Sequence, residues 1–95
     1  MMEYNFNFNF QKDNFRYDGY IFIVQNNNLN FILERTNLIT KETRIVNEEY
    51  EDELRTILER FQYQQITHAM FHSISMLIQQ MIFEQGDNNA NKNFY

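Results

Sequence analysis

From Tyr4 to Phe10 aromatic and polar residues alternate without a fault, Tyr4, Phe6, Phe8 and Phe10 against Asn5, Asn7 and Asn9. A period of two puts alternate side chains on opposite faces of an extended chain, so this stretch predicts a half-buried β-strand. Gln11–Asn14 is polar and reads as a turn. Phe15–Gln25 follows as a second strand, apolar on both faces over Tyr20–Val24. That pattern suits a central place in a sheet, with one face under a helix and the other partly covered, and Gly19 reads as a bulge. Asn26-Asn27-Asn28 predicts a turn, because Asn tolerates a positive φ and bonds its own backbone. Leu29, Phe31 and Leu33 then alternate with Asn30, Ile32 and Glu34 in a third strand reaching about Thr36. After a loop over Asn37–Glu42, the β-branched run Thr43–Val46 gives a short fourth strand at a sheet edge.

The rest is one long helical signal, Asn47–Gln85, built in two unlike halves. In the first, Tyr50, Leu54, Ile57, Leu58 and Phe61 share a narrow sector of the wheel, and charged residues cover the remainder. In the second, Ile66, Met70, Ile74, Leu77, Ile78 and Met81 form a wider apolar arc. At ~100° per residue its centre lies roughly opposite the first stripe. One straight helix over this segment would run ~57 Å, against a diameter near ~30 Å for a compact domain of this size. Either the segment breaks near residues 62–67 and folds back, with Thr67 capping the second part, or it stays whole and packs on another chain. Asn47 reads as the N-cap at its start and Gly86 as the C′ residue at its end. The fold class is α+β: an antiparallel sheet of about four strands, β-β-β-β-α, then a long C-terminal helix, continuous or split at 62–67. Residues 1–85 make one domain, with the sheet over 4–46 and the helical segment over 48–85. The Asn-rich stretch 86–95 is expected to be a disordered tail.

Charge narrows the partners. A net charge of −5 with only eight scattered Lys and Arg argues against a phosphate backbone, whose non-specific affinity comes from basic residues releasing counterions. Fourteen Asn, ten Phe and six Tyr beside no Pro and no Trp suggest an AT-rich genome, such as that of a low-GC bacterium, its phages or certain protists. The absence of Cys removes disulfides and thiolate metal sites and favours a cytoplasmic setting. No basic-then-apolar leader opens the chain. Phe61–Phe83 carries no Asp, Glu, Lys or Arg, yet its Gln, His and Ser content is too polar to span a membrane.

Three groups of residues could carry chemistry. His68 and His72, four apart, share a helix face and are weak candidates for Zn²⁺. Ala69 stands where the metalloprotease pattern has Glu, and a polar seam between packed helices accounts for both His equally well. No metal or other cofactor is expected. Glu48, Glu49, Glu51, Asp52 and Glu53 form either a solvated helix start, with Glu51–Arg55 and Arg55–Glu59 pairs, or an acidic patch that docks on a basic surface. Tyr4, Phe6, Phe8 and Phe10 could stack on single-stranded nucleic acid, but Lys12 and Arg16 are the nearest basic residues. If those rings were exposed, the strand would instead be a template for edge pairing. With no Cys nucleophile, no glycine-rich phosphate loop and two Ser outside any nucleophile elbow, the chain is not expected to be an enzyme.

The reading that absorbs most of this is a non-enzymatic protein–protein interaction module. It would self-associate as a homodimer, or bind a protein partner, through Ile66, Met70, Ile74, Leu77, Ile78 and Met81. One alternative is a small acidic inhibitor from a mobile element or phage that blocks a host nucleic-acid-acting defence enzyme through the acidic patch. The other is single-stranded nucleic-acid binding by the aromatic strand.

Overall fold

The computed structural model describes the backbone of residues 4–24 and 28–92, and the side chains of 5–24 and 28–84. Four antiparallel strands follow in chain order, β1 (Tyr4–Lys12), β2 (Phe15–Val24), β3 (Asn28–Asn37) and β4 (Thr43–Ile45), and they lie side by side in that same order. A 3-10 turn over Asn47–Tyr50 leads into α1 (Glu51–Phe61), and α2 (His68–Lys92) follows. The architecture is the α+β meander with a split helix that the hydrophobic pattern admits. Of the three-Asn turn, Asn26 lies outside the described residues together with Asn27, and Asn28 already belongs to β3.

Register explains why one face is greasy. Phe6 pairs with Ile21, Phe8 with Gly19 and Phe10 with Tyr17, while Ile21 pairs with Phe31 and Gly19 with Leu33. Directly opposite residues share a face, so these side chains line one side of the sheet and Asn5, Asn7 and Asn9 line the other. No bulge interrupts β2. Gly19 is needed for a different reason: the Phe8 ring lies over it, and a Cβ there would sit 2.4 Å from the ring.

The same registers tell which backbone groups are left at the sheet edges. Val46 N–H donates to the Leu33 carbonyl at 2.8 Å, and the Asn47 side chain bonds both Leu33 N–H and Phe31 C=O. Odd-numbered residues of β3 therefore direct their backbone groups away from β2. Because that direction alternates along antiparallel strands, odd residues of β2 bond β1, and even residues of β1 bond β2. The N–H and C=O groups of Asn5, Asn7, Asn9 and Gln11 then point outward along the free edge of β1.

Asn47 is not the helix cap that its position in sequence suggests. No side-chain cap bond closes the 3-10 turn or α1, since the Asn47 amide is spent on β3. Thr67 does cap α2: its hydroxyl accepts Met70 N–H at 3.1 Å and its carbonyl accepts Phe71 N–H at 3.2 Å. Gly86 does not end that helix, which runs on to Lys92 and takes up most of the stretch expected as a tail; 93–95 lie outside the described residues. The break at 62–67 reverses the chain, so the two apolar stripes, opposed on a straight helix, face one core. Ile21, Ile23 and Leu33 of the sheet meet Leu54 of α1 and Met70, Phe71, Ile74, Ile78 and Ile82 of α2 there.

Candidate interaction surfaces

The arc expected to bind a partner is the seat of α2 on its own domain. Ile74 and Ile78 are 0 % exposed and Met70 is buried with them. Ile66, Leu77 and Met81 are half-buried, with Ile66 and Met81 packed on the core and Leu77 and Met81 beside Ile57 of α1. Their apolar area is consumed inside the molecule, because the reversal at 62–67 supplies the second surface that a continuous helix would have needed from another chain.

What α2 offers outward is a different stripe. His68, His72, Met76, Gln79 and Phe83 recur at helical spacing along one side of α2, and the first and last of them lie against β1. Met76 is 52 % and Phe83 40 % exposed. This flank is continuous with the strand: His68 packs edge-on against Phe6 at 5.3 Å, and Phe83 lies 5.7 Å from Phe10. Lys12 anchors the far end, its ammonium 3.3 Å from the carbonyls of both Ile82 and Phe83 and 5.8 Å from the Phe83 ring. Ser75, on the same side, is buried and donates to the His72 carbonyl at 2.7 Å. Among the described residues no three of His, Asp and Glu gather as a metal site, and no helix is long and apolar enough to cross a membrane.

The acidic run is largely tied into the fold. Arg35 grips Glu49 with two nitrogens at 3.0 and 3.1 Å, and Arg44 approaches the same carboxylate at 3.8 Å. Burial works against the Arg35 charge, but Glu49 and Tyr17 together outweigh it and raise the guanidinium pKa. Arg55 contacts Glu51 at 3.7 Å and Asp52 at 3.0 Å, and does not reach toward Glu59 as helical spacing also allowed. Glu48 and Glu59 have no ion-pair partner among the described residues. Beside this cluster the Tyr50 hydroxyl is pushed up to about 12, by burial first and then by the neighbouring Tyr17 hydroxyl.

Between α1 and β3 the same acids border a cleft of about 790 Å³. Leu29, Phe31, Leu54 and Leu58 line it, with Glu48 and Glu59 among its polar members. Nothing in the hydrophobic pattern announces it, because it arises where β4 stops short and leaves half of β3 beside the helix. Edge pairing by β1 was expected only with its rings exposed, yet Phe6, Phe8 and Phe10 pack on the core while β1 is an edge strand of the sheet. Compared with known protein families, curated proteins and solved structures, the chain matches none.

Proposed function

We propose that the chain is a non-enzymatic protein-interaction module that forms a two-fold homodimer through the edge of β1 and the adjoining flank of α2. The observation that supports this reading is the meeting of two incomplete surfaces on one side of the molecule. β1 has outward backbone groups over Asn5–Gln11, with no charge, proline or bulge to blunt them, and natural edges usually carry one of these. Above it the exposed Phe83 of α2 lies against Phe10, and the exposed Met76 stands further round the same helix.

Self-complementarity makes a second copy the fitting partner. Two β1 strands can run antiparallel about an axis at Phe8, with Asn5 opposite Gln11 and Asn7 opposite Asn9 of the other copy. Outward-pointing residues then meet outward-pointing residues, giving about eight backbone hydrogen bonds. Phe6 falls opposite Phe10, and all the Phe stay on the helix side. A strand pair alone is small beside the ~1,200–2,000 Å² of a stable interface, so the two α2 flanks are needed to complete it. The −5 charge of each chain opposes association, yet acids cluster on the 3-10 turn and α1, whereas the charged residue of β1 is Lys12.

Light scattering over a tenfold concentration range tests the proposal. The wild type is expected at twice the 11.8 kDa chain mass. Asn7→Pro removes one outward N–H without touching the bonds to β2, and Met76→Lys puts a charge on the flank. Each should yield a folded monomer. A monomeric wild type, or a dimer indifferent to both substitutions, would overturn it.

A further inference from the structure

The sheet has a second open edge, on the far side from β1. Asn47 mimics a strand residue for Phe31 and Leu33, after which the chain leaves the sheet for the 3-10 turn. By the alternation established above, the N–H and C=O of Leu29 and the N–H of Phe31 also point away from β2. β4 reaches only Glu34, so among the described residues no strand pairs with them. They open into the α1–β3 cleft, whose floor is apolar at Leu29, Leu54 and Leu58. A compact small molecule would leave this row of backbone groups unanswered, whereas an extended polypeptide answers it by adding a strand.

We infer that this cleft binds an extended segment of another protein, about five residues long, with an apolar centre and a Lys or Arg two positions to either side. Length follows from the walls. Glu48 of the 3-10 turn and Glu59 of α1 are ~17 Å apart at about 1.5–2.0 Å per residue; the first and fifth residues of a strand lie ~13 Å apart, and their long basic side chains cover the rest. Alternation then decides the pattern: residues one, three and five share the face toward α1. The third meets Leu54 and Leu58, and the first and fifth reach the carboxylates of Glu48 and Glu59. Those two acids lack ion-pair partners among the described residues, while Glu51 is already engaged by Arg55. The site lies apart from the β1 edge, so dimerisation and segment binding are independent.

The probe is the peptide acetyl-Lys-Thr-Val-Thr-Lys-amide, titrated to several millimolar into the labelled full chain, with amide shifts followed by NMR. Saturable shifts are expected at Leu29, Phe31, Leu54 and Leu58. The counterpart with Glu in place of Lys should bind at least tenfold more weakly, and Glu48→Lys with Glu59→Lys should reverse that preference. Strand addition makes one further demand. N-methylation of the peptide's two lysines and its valine, or of its two threonines, removes donors from one edge or the other. One pattern must abolish binding and the other leave it largely intact. Equal effects of both patterns would reduce the contact to charge attraction and overturn the inference, as would the absence of saturable shifts. Concentration-dependent shifts at Leu29 and Phe31 without peptide would assign the cleft to a second copy and overturn it equally.

Discussion

Asn47 Oδ1 accepts the Leu33 backbone N–H at 2.7 Å while Asn47 Nδ2 donates to the Phe31 carbonyl at 2.8 Å, so one side chain replaces a strand residue. Both partners are partly buried. Asn47→Ala leaves a donor and an acceptor unpaired there and should cost about 2–3 kcal/mol. Asn47→Asp keeps the acceptor but sets a carboxylate against the Phe31 carbonyl, and should be no better. Urea denaturation of the three proteins measures the difference.

Gly19 and Phe8 form a second matched pair. Gly19→Ala forces the Phe8 ring aside and should destabilise by about 1–3 kcal/mol, the usual cost of overpacking. In the background of Phe8→Leu the same substitution should cost much less. Additive effects in that double-mutant cycle would refute the steric account.

Ile74 separates an intramolecular core from an interface. Its side chain is fully enclosed, so Ile74→Ala should lose about 2–5 kcal/mol. Ile74→Asp should fail to fold at any protein concentration. A folded, monomeric Ile74→Asp would restore the interface reading of the apolar arc.

Thr67 supplies the one side-chain cap bond identified on α2. Thr67→Ala should cost about 1 kcal/mol, and Thr67→Ser little. Thermal denaturation followed by circular dichroism resolves both.

Alkaline pH should weaken the fold through Tyr50. Burial raises its folded pKa from 10.0 to about 12. Between those values the unfolded chain gives up the proton while the folded chain keeps it, so stability falls as pH rises through this window. Below pH 10 the contribution is fully present. Tyr20, whose pKa the hydrogen bond to Glu34 raises, acts in the same sense. Tyr50→Phe should flatten the decline in urea midpoints measured from pH 9 to 11.5.

β1 and β3 were legible because each alternates with a period of two, β2 because it is an apolar run bounded by polar residues, and β4 because of its β-branched residues. Thr67 as a cap was legible from local chemistry. The role of the Ile66–Met81 arc was not, since two opposed stripes need a partner on a straight helix and none on a bent one, and no Gly or Pro marks 62–67. Asn47 misleads because an amide before a helix looks alike whether it caps that helix or reaches fourteen residues back to a strand. Gly19 shows the same limit: its need for a bare backbone comes from Phe8, on the neighbouring strand.

The meander order of the sheet has a consequence for kinetics. Every strand pairs with its neighbour in sequence, so the sheet assembles from short chain closures, whereas Lys12 meets Ile82 across 70 residues. Such distant contacts cost more loop entropy and tend to form late. Docking of α2 onto β1 is then the closing event of folding. Substitutions at Ile74 or Ile78 should accelerate unfolding while leaving the folding rate almost unchanged.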